Sequence, residues 1–329
     1  MKVAVVGATG LVGQVMLKVL EERNFPVKEL IPVASERSIG KKVSFKGSEY
    51  SVITAQQAIY KQPDIALFSA GASTSLKWAP KFAEAGCKVI DNSSAWRTNK
   101  NIQLIVPEVN GKAIRKEDMI IANPNCSTIQ LVMAIFPIHR DYSIKRLIIS
   151  TYQSVSGSGI NGIQQLNDER CGKNSKLAYP HCIDKNVLPH GGDFLQDNYT
   201  SEEEKLKFET RKILNTQNIG ISATVVRVPV QDCHSESVNL ELSKAFKMEQ
   251  LISSLNKMPG LIVKDEPENN IYPMPANCAD KDDVFVGRIR RDDSIESGLN
   301  LWIVADNLRK GAATNAVQIA QYLLEHKLI

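Results

Sequence analysis

The stretch Val3-Ala4-Val5-Val6-Gly7-Ala8-Thr9-Gly10-Leu11-Val12-Gly13 constrains the fold more than any other part of the chain. Four consecutive apolar residues read as a strand, and glycines spaced Gly-x-x-Gly-x-x-Gly turn it into the next segment. There Val12, Val15, Met16 and Val19 recur at helical spacing within Leu11–Arg23. A strand entering a helix through a glycine turn opens a strand–helix–strand unit. Glycine permits the tight turn and lets backbone N–H groups approach a pyrophosphate, while the helix N-terminus favours the anion. Gly7, Thr9, Gly10, Leu11, Val12 and Gly13 are therefore candidate dinucleotide contacts. The spacing is not the commoner Gly-x-Gly-x-x-Gly, so the alternative is a glycine turn that binds nothing.

Further strands are expected at Glu29–Val33, Ile65–Ser69, Val89–Asp91 and Met119–Ala122, with helical stretches between them. Such alternation argues for a parallel, doubly wound sheet. The character changes after about Asp141. Arg146–Val155, Ile221–Val230, Ser237–Lys244, Val284–Arg291 and Asn300–Ala305 read as strands with fewer helices between, as in a mixed or antiparallel sheet. Leu308–Lys327 reads as one helix following Asp306 and Asn307. The fold class is thus α/β: a dinucleotide-binding domain of residues 1–126 with 307–329, and a second, α+β domain of residues 127–306 with a mixed sheet. With 329 residues, 43% of them hydrophobic, the chain is long enough for two such cores.

The end of the second strand refines the cofactor. An NAD site there offers a carboxylate to the ribose hydroxyls, whereas an NADP site offers arginine and hydroxyls to the extra phosphate. Arg37 between Ser35 and Ser38 favours NADP; Glu36 leaves a ribose contact open.

Six cysteines are scattered without Cys-x-x-Cys pairs or zinc-ligand spacing, so reduced thiols are expected, and no metal. One stands out by its surroundings. Asn123-Pro124-Asn125-Cys126-Ser127-Thr128 places a thiol after a strand, at the start of a helix. The positive end of a helix favours thiolate, and the same N–H groups can hold the oxyanion formed when it attacks a carbonyl. A thiolate nucleophile needs a proton-transfer partner, and there are five histidines. His139 and His326 read as surface residues. His234, in Arg227-Val-Pro-Val-Gln-Asp-Cys-His234, reads as presented to a cleft by a fixed loop; His190 ranks second, without much separation.

At this point the motifs match a known pattern. Asn-Pro-Asn-Cys126-Ser-Thr, Ser150-Thr-Tyr-Gln153-Ser-Val-Ser-Gly157-Ser-Gly159 and Arg227-x-Pro-Val-x-x-Cys-His234 resemble three signatures of the aspartate-semialdehyde dehydrogenase family. The Gly7–Gly13 loop and Asn307-Leu-Arg-Lys-Gly-Ala-Ala resemble it too, and the nearest branch is that of Gram-positive bacteria and their relatives. The resemblance implies NADPH-dependent reduction of L-aspartyl-4-phosphate to L-aspartate-4-semialdehyde with release of phosphate. It implies Cys126 as nucleophile, His234 as acid/base and Gln153 as the residue orienting the thioacyl intermediate. Arg97 and Lys205 would meet the phosphate, Glu202 the substrate amine, Arg227 its α-carboxylate, and Asn125 would lie beside the substrate. It also suggests cofactor contacts at Ser69, Gly71, Ser156, Gly157 and Asn307, and a homodimer or homotetramer. The run Val187-Leu-Pro-His190-Gly-Gly-Asp departs from the pattern and reads as dimer or loop architecture.

Several of these residues have a physical rationale of their own. Ser201 with Glu204 reads as a capping box opening a helix, which puts Glu202 and Lys205 three apart on one face. An ordinary intrahelical ion pair is the plainer reading of that spacing. Arg227 carries the planar fork that grips a carboxylate. Arg97, on chemistry alone, reads as a surface arginine.

The formal net charge is only +4, and no basic stripe interleaves with aromatics, so no nucleic-acid partner is expected. The apolar runs are too short to span a bilayer and the first residues read as a strand rather than a signal peptide, so a cytoplasmic location is expected. The rival readings are a sister acyl-phosphate reductase acting on N-acetylglutamyl phosphate, a phosphorylating glyceraldehyde-phosphate dehydrogenase, and a non-catalytic NADP-binding homologue. An acetylated amine would have no use for Glu202.

Overall fold

Apolar strands alternating with helices build the first of two compact units in the computed structural model, which describes residues 1–174 and 176–329. That unit comprises Met1–Asn125 and Ala312–Ile329; Cys126–Gly311 forms the second.

The first unit runs β1 (Lys2–Val6), α1 (Leu11–Glu22), β2 (Glu29–Val33), β3 (Lys42–Phe45), β4 (Ser48–Ser51), α2 (Ala55–Tyr60), β5 (Ile65–Phe68), α3 (Ala72–Glu84), β6 (Lys88–Asp91), α4 (Pro107–Asn110) and β7 (Ile120–Ala122). Five strands pair in parallel in the order β2-β1-β5-β6-β7. Because successive strand side chains point to opposite faces, the apolar runs divide into two cores. Val3, Val5, Leu67 and Ile90 pack with Met16 and Leu20 of α1 and with Val317 and Leu323 of the last helix. Ala4, Val6, Phe68 and Val89 pack instead with Ala58 of α2 and with Ala79 and Phe82 of α3. The sheet is thus doubly wound. Beyond the expected strands lies the β3–β4 hairpin, whose Lys46 and Gly47 both take positive φ, as its two-residue turn requires.

The second unit runs α5 (Cys126–Tyr142), β8 (Ile144–Gln153), α6 (Gly159–Arg170), α7 (Ser201–Ile213), β9 (Gly220–Arg227), β10 (His234–Leu242), α8 (Met248–Asn256), β11 (Leu261–Val263), α9 (Pro275–Cys278), β12 (Val284–Asp292) and β13 (Gly298–Ala305). Its sheet has the order β11-β12-β13-β10-β8-β9 and is mixed: β11–β12 and β8–β9 are parallel, the other pairs antiparallel. Along β10 the residues His234, Glu236, Val238, Leu240 and Leu242 are buried, and α5 covers that face. Helix α5 is itself buried from Ser127 through Ile135, a helix apolar nearly all round and enclosed accordingly.

Three local expectations are corrected. His234 is not on a loop: it is the first residue of β10 and fully buried. The last helix does not start at Leu308; Arg309–Ala313 winds as a π-helix and the α-helix spans Thr314–Glu325. The capping box of α7 is Thr200 with Glu203, one residue earlier than the Ser201–Glu204 pair. The other carboxylate oxygen of Glu203 accepts the Val225 N–H at 3.0 Å, tying α7 to β9 and fixing which acid caps. Among the described residues no helix is long and apolar enough to cross a membrane.

Candidate active site

In the first unit the glycine turn is a cradle that side chains would fill. Gly7 has φ +92°, and a Cβ there would sit 2.2 Å from the Ser69 carbonyl oxygen. A Cβ on Gly13 would sit 2.1 Å from the Gly7 carbonyl oxygen, so α1 can approach β1 only without a side chain. Beside the turn lies a cleft of about 390 Å³ lined by Gly7, Thr9, Gly10, Ser35, Glu36 and Ser69. Its wall also includes Thr54, Ala55, Thr74, Lys77 and Trp78, none of them singled out from the sequence. Their signal was local: Thr54 caps α2 through a box with Gln57, and Thr74 and Trp78 stand one helical turn apart on α3. Leu11, Val12, Gly13, Arg37, Ser38 and Gly71 are not among the lining residues. Arg37 and Ser38 belong to a single 3₁₀ turn, Glu36–Ser38, with Arg37 exposed beside the cleft. A narrow backbone turn opening on a cleft of this size fits a dinucleotide.

Also in this unit, Arg97 is buried rather than a surface residue. Its Nε donates to the Asn123 carbonyl at 2.9 Å and its Nη2 to the Asn92 carbonyl at 2.8 Å, so main-chain oxygens at the ends of β6 and β7 orient the guanidinium. Asn123 is held in turn by Asn315, whose amide donates to its Oδ1 at 2.7 Å. Asn125 is buried and leads the chain directly into Cys126.

In the second unit Cys126 is the first residue of α5 and half-buried. The leading N–H groups of a helix have no intrahelical partners. Gly311 packs so close that a Cβ on it would lie 2.9 Å from Cys126 Cβ. The π-turn, unexpected in the sequence, brings that bare backbone there. The other cysteines are either buried or exposed; burial pushes the thiols of Cys87, Cys233 and Cys278 up, away from thiolate. Ser127, next to the thiol, accepts from Gln153 Nε2 at 3.1 Å.

His234 sits in a dense polar network. Its Nδ1 accepts the Ser154 main-chain N–H at 3.1 Å, which assigns the proton of the neutral ring to Nε2. The Ser154 hydroxyl, also 3.1 Å from Nδ1, donates to Asn307 Oδ1 at 3.0 Å, and the Asn307 amide donates to Ser156 Oγ at 3.0 Å. Ser156 and Asn307, expected as cofactor contacts, therefore brace the imidazole, and Ser154 is the link that sequence reasoning missed. Burial, and after it the positive charge of Arg227, holds His234 well below the usual imidazole range, with the Cys233 main chain pulling the other way. Arg227 is buried, donates from Nη1 to the Ser154 carbonyl at 2.7 Å, and lies 5.8 Å from the Tyr179 ring centre. Two buried nitrogens here, Arg227 Nε and His234 Nε2, have no hydrogen-bond partner among the described residues. The two side chains meet at Gly157: a Cβ there would lie 2.9 Å from Arg227 Nη1, the nitrogen that donates to Ser154, and 3.1 Å from His234 Nε2. A group that grips anions and a group that moves protons thus share one bare point of backbone.

Glu202 and Lys205 form a short ion pair on the first turns of α7. The Val187–Asp193 run is loop apart from a bridge at Leu188, and it lies against this region. Leu188 and Arg227 exchange main-chain hydrogen bonds of 2.9 and 2.7 Å, and a Cβ on Gly191 would meet Glu202 Cγ at 3.3 Å. His190, the second-ranked histidine, stacks on Phe194 with ring centres 4.5 Å apart.

Comparison with known proteins gives the family. Residues 2–117 match the semialdehyde dehydrogenase NAD-binding domain and residues 135–310 the semialdehyde dehydrogenase dimerisation domain. An aspartate-semialdehyde dehydrogenase of Aquifex aeolicus is 54% identical, covering 100% of this chain and 99% of that protein. The chain belongs to the aspartate-semialdehyde dehydrogenase family. The Bacillus subtilis member is 44% identical over 99% of this chain and 98% of its own length. A crystal structure of aspartate-semialdehyde dehydrogenase II from Vibrio cholerae, complexed with ASA, superposes with a TM-score of 0.94 at 45% identity and 98% coverage of both chains. The Candida albicans enzyme, solved with NADP, is 25% identical with a TM-score of 0.79, covering 100% of this chain and 99% of its own. Family membership makes the chain an α/β oxidoreductase with an NAD(P)-binding domain.

Proposed function

We propose that the chain reduces L-aspartyl-4-phosphate to L-aspartate-4-semialdehyde and phosphate through a thioester on Cys126. The observation that carries this reading is the meeting at Gly157 of the buried Arg227 guanidinium, whose Nε has no partner among the described residues, with the unpartnered His234 Nε2. An unsatisfied buried guanidinium is costly unless an anion joins it, and the substrate α-carboxylate is such an anion.

The thiolate of Cys126 attacks the acyl carbon, a C–S bond forms, and the C–O bond to phosphate breaks. N–H groups at the start of α5 hold the oxyanion. Arg97 and Lys205 neutralise the phosphate as it departs, Glu202 meets the substrate ammonium, Asn125 borders the substrate, and Gln153 holds the acyl group through its tie to Ser127. Gly7, Thr9, Gly10, Leu11, Val12, Gly13, Ser35, Arg37, Ser38, Ser69 and Gly71, with Ser156, Gly157 and Asn307, would hold NADPH, which would supply the hydride for the acyl carbon. His234, having taken up a proton from solvent as the substrate carboxylate docks on Arg227, gives its Nε2 proton to the oxygen that gains charge and takes it back as the aldehyde forms and sulfur leaves as thiolate. Its depressed basicity is part of this design. A carboxylate docked on Arg227 cancels the second cause of that depression, so substrate binding itself raises the proton affinity of His234.

The match to a dimerisation domain supports an oligomer, and a homodimer or homotetramer is the assembly proposed. A cytoplasmic location goes with it. The test is NADP reduction by aspartate semialdehyde with and without phosphate, set beside N-acetylglutamate semialdehyde and glyceraldehyde 3-phosphate. Phosphate-dependent turnover of the first aldehyde alone is expected; preference for either of the others would overturn the substrate assignment.

A further inference from the structure

One layer beneath these side chains lies a second set of polar groups that the reaction does not use. Glu236 follows His234 by two residues on β10 and so shares its face. Gln130 follows Cys126 by four on α5 and shares the helix face of the thiol. Thr151 precedes Gln153 by two on β8 and is the register partner of Glu236. All three are sealed from solvent, with exposures of 1% for Gln130 and 0% for Thr151 and Glu236. Both amide atoms of Gln130, the Thr151 hydroxyl and both carboxylate oxygens of Glu236 have no hydrogen-bond partner among the described residues.

We propose that Glu236, Gln130 and Thr151 form an internal polar layer that positions the Cys126 helix against the His234 strand. A neutral carboxylic acid and a primary amide are complementary: the acid O–H donates to the amide oxygen and the amide N–H donates to the acid carbonyl. A small side-chain rotation, or one internal water, lets the three satisfy each other. Such a pairing is made in one register only, whereas an all-leucine layer would permit α5 to slide or turn over β10. Sliding α5 moves its first residue, Cys126. Supporting this geometry, burial pushes the Glu236 carboxyl well above the usual carboxylate range, opposed only by the Gln130 amide. Among the described residues its neighbours on the flanking elements are uncharged: Gln130 on α5, its register partner Thr151 on β8 and its register partner Ile303 on β13. An ionised Glu236 would also place negative charge one layer below the thiol, opposing thiolate formation.

This proposal rests on the assignment of Cys126 and His234 above, and the experiment separates the two. Glu236→Gln keeps a neutral pairing group, Glu236→Leu removes it, and Thr151→Val serves where the leucine variant does not fold. Each is followed by kcat, KM, NADPH affinity, the pH midpoint of Cys126 alkylation, and infrared difference spectra against wild type. Glu236→Gln is expected to keep kcat within about threefold and leave the alkylation midpoint unchanged. Glu236→Leu is expected to lower kcat about tenfold or more at constant KM and NADPH affinity, with the midpoint displaced upward. Thr151→Val should move in the same direction, less far. The Glu236→Gln difference spectrum should show loss of a protonated carboxyl band at pH 8. A carboxylate band in its place, a Glu236→Gln loss equal to that of Glu236→Leu, or wild-type kcat in both apolar variants would overturn the proposal. Turnover by a Cys126→Ser enzyme would instead overturn the nucleophile assignment, on which the infrared band does not depend.

Discussion

Replacing Gly157 by alanine probes the point where Arg227 and His234 meet. Gly157 lies in the 3₁₀ turn Val155–Ser158 and has no positive φ, so its backbone accepts a side chain without strain. The whole effect is therefore steric. The new Cβ would lie 2.9 Å from Arg227 Nη1 and 3.0 Å from His234 Cε1. Ordinary carbon contacts need about 3.5–4.0 Å, so both groups must retreat by roughly 0.5–1 Å. Neither can do so cheaply: Nη1 is fixed on the Ser154 carbonyl at 2.7 Å, and the imidazole on the Ser154 N–H at 3.1 Å. Displacement of reacting groups by about 1 Å costs on the order of 10²-fold in rate, roughly 2.7 kcal/mol in the barrier. Overpacking costs about 1–3 kcal/mol of stability, offset by about 0.4–1 kcal/mol from reduced freedom of the unfolded chain. The folded enzyme should therefore survive while kcat/KM for aspartate semialdehyde falls about a hundredfold, with most of the NADPH affinity retained. Steady-state kinetics, urea unfolding and fluorescence titration with NADPH read these three quantities. A variant within about twofold of wild type in kcat/KM, or one that loses NADPH affinity while keeping kcat, would refute the reasoning.

Thr200→Ala should cost about 0.5–2 kcal/mol in urea unfolding, because Thr200 Oγ1 accepts the Glu203 N–H at the start of α7. It should also raise KM, since Glu202 and Lys205 ride on that first turn. Stability against pH should separate Glu236→Gln from wild type. The folded-state proton affinity of Glu236 is raised, so its contribution is fully present below the unfolded value near 4.5 and is lost as pH rises above it. The advantage of the glutamine variant should grow from pH 5 to 8 by at most about 1.4 kcal/mol per unit, and a flat difference in urea unfolding would contradict this. His234 works in the opposite sense: its folded value is depressed, so the stability it contributes is present above about 6.5 and lost as pH falls below that. His234→Gln should accordingly flatten the acid limb of the unfolding curve.

Elements fixed by local pattern were legible in the sequence. Strands β1 and β2 are unbroken apolar runs bounded by turn residues, and burial on both faces keeps their ends where the pattern puts them. Elements fixed by tertiary contact were not. Three consecutive acids follow two hydroxyls at the head of α7, and only the reach of Glu203 to the Val225 N–H decides which pair caps the helix. The helix expected from Leu308 is interrupted by a π-turn, where Gly311 approaches Cys126 more closely than a side chain permits. The cysteine could be chosen by its helix start, a local property. The burial of His234 could not be read, because it depends on β8 and β13 flanking β10. Gln130, Thr151 and Glu236 each look like solvent-facing residues in isolation; only strand register and helix phase gather them into one layer.

The covalent step is tested most directly without any reductant. Enzyme mixed with freshly made L-aspartyl-4-phosphate and quenched should release one equivalent of phosphate per active site, and gain the mass of one aspartyl acyl group on the peptide carrying Cys126. Phosphate release with no acyl group on that peptide, or with the group on another residue, would contradict the account.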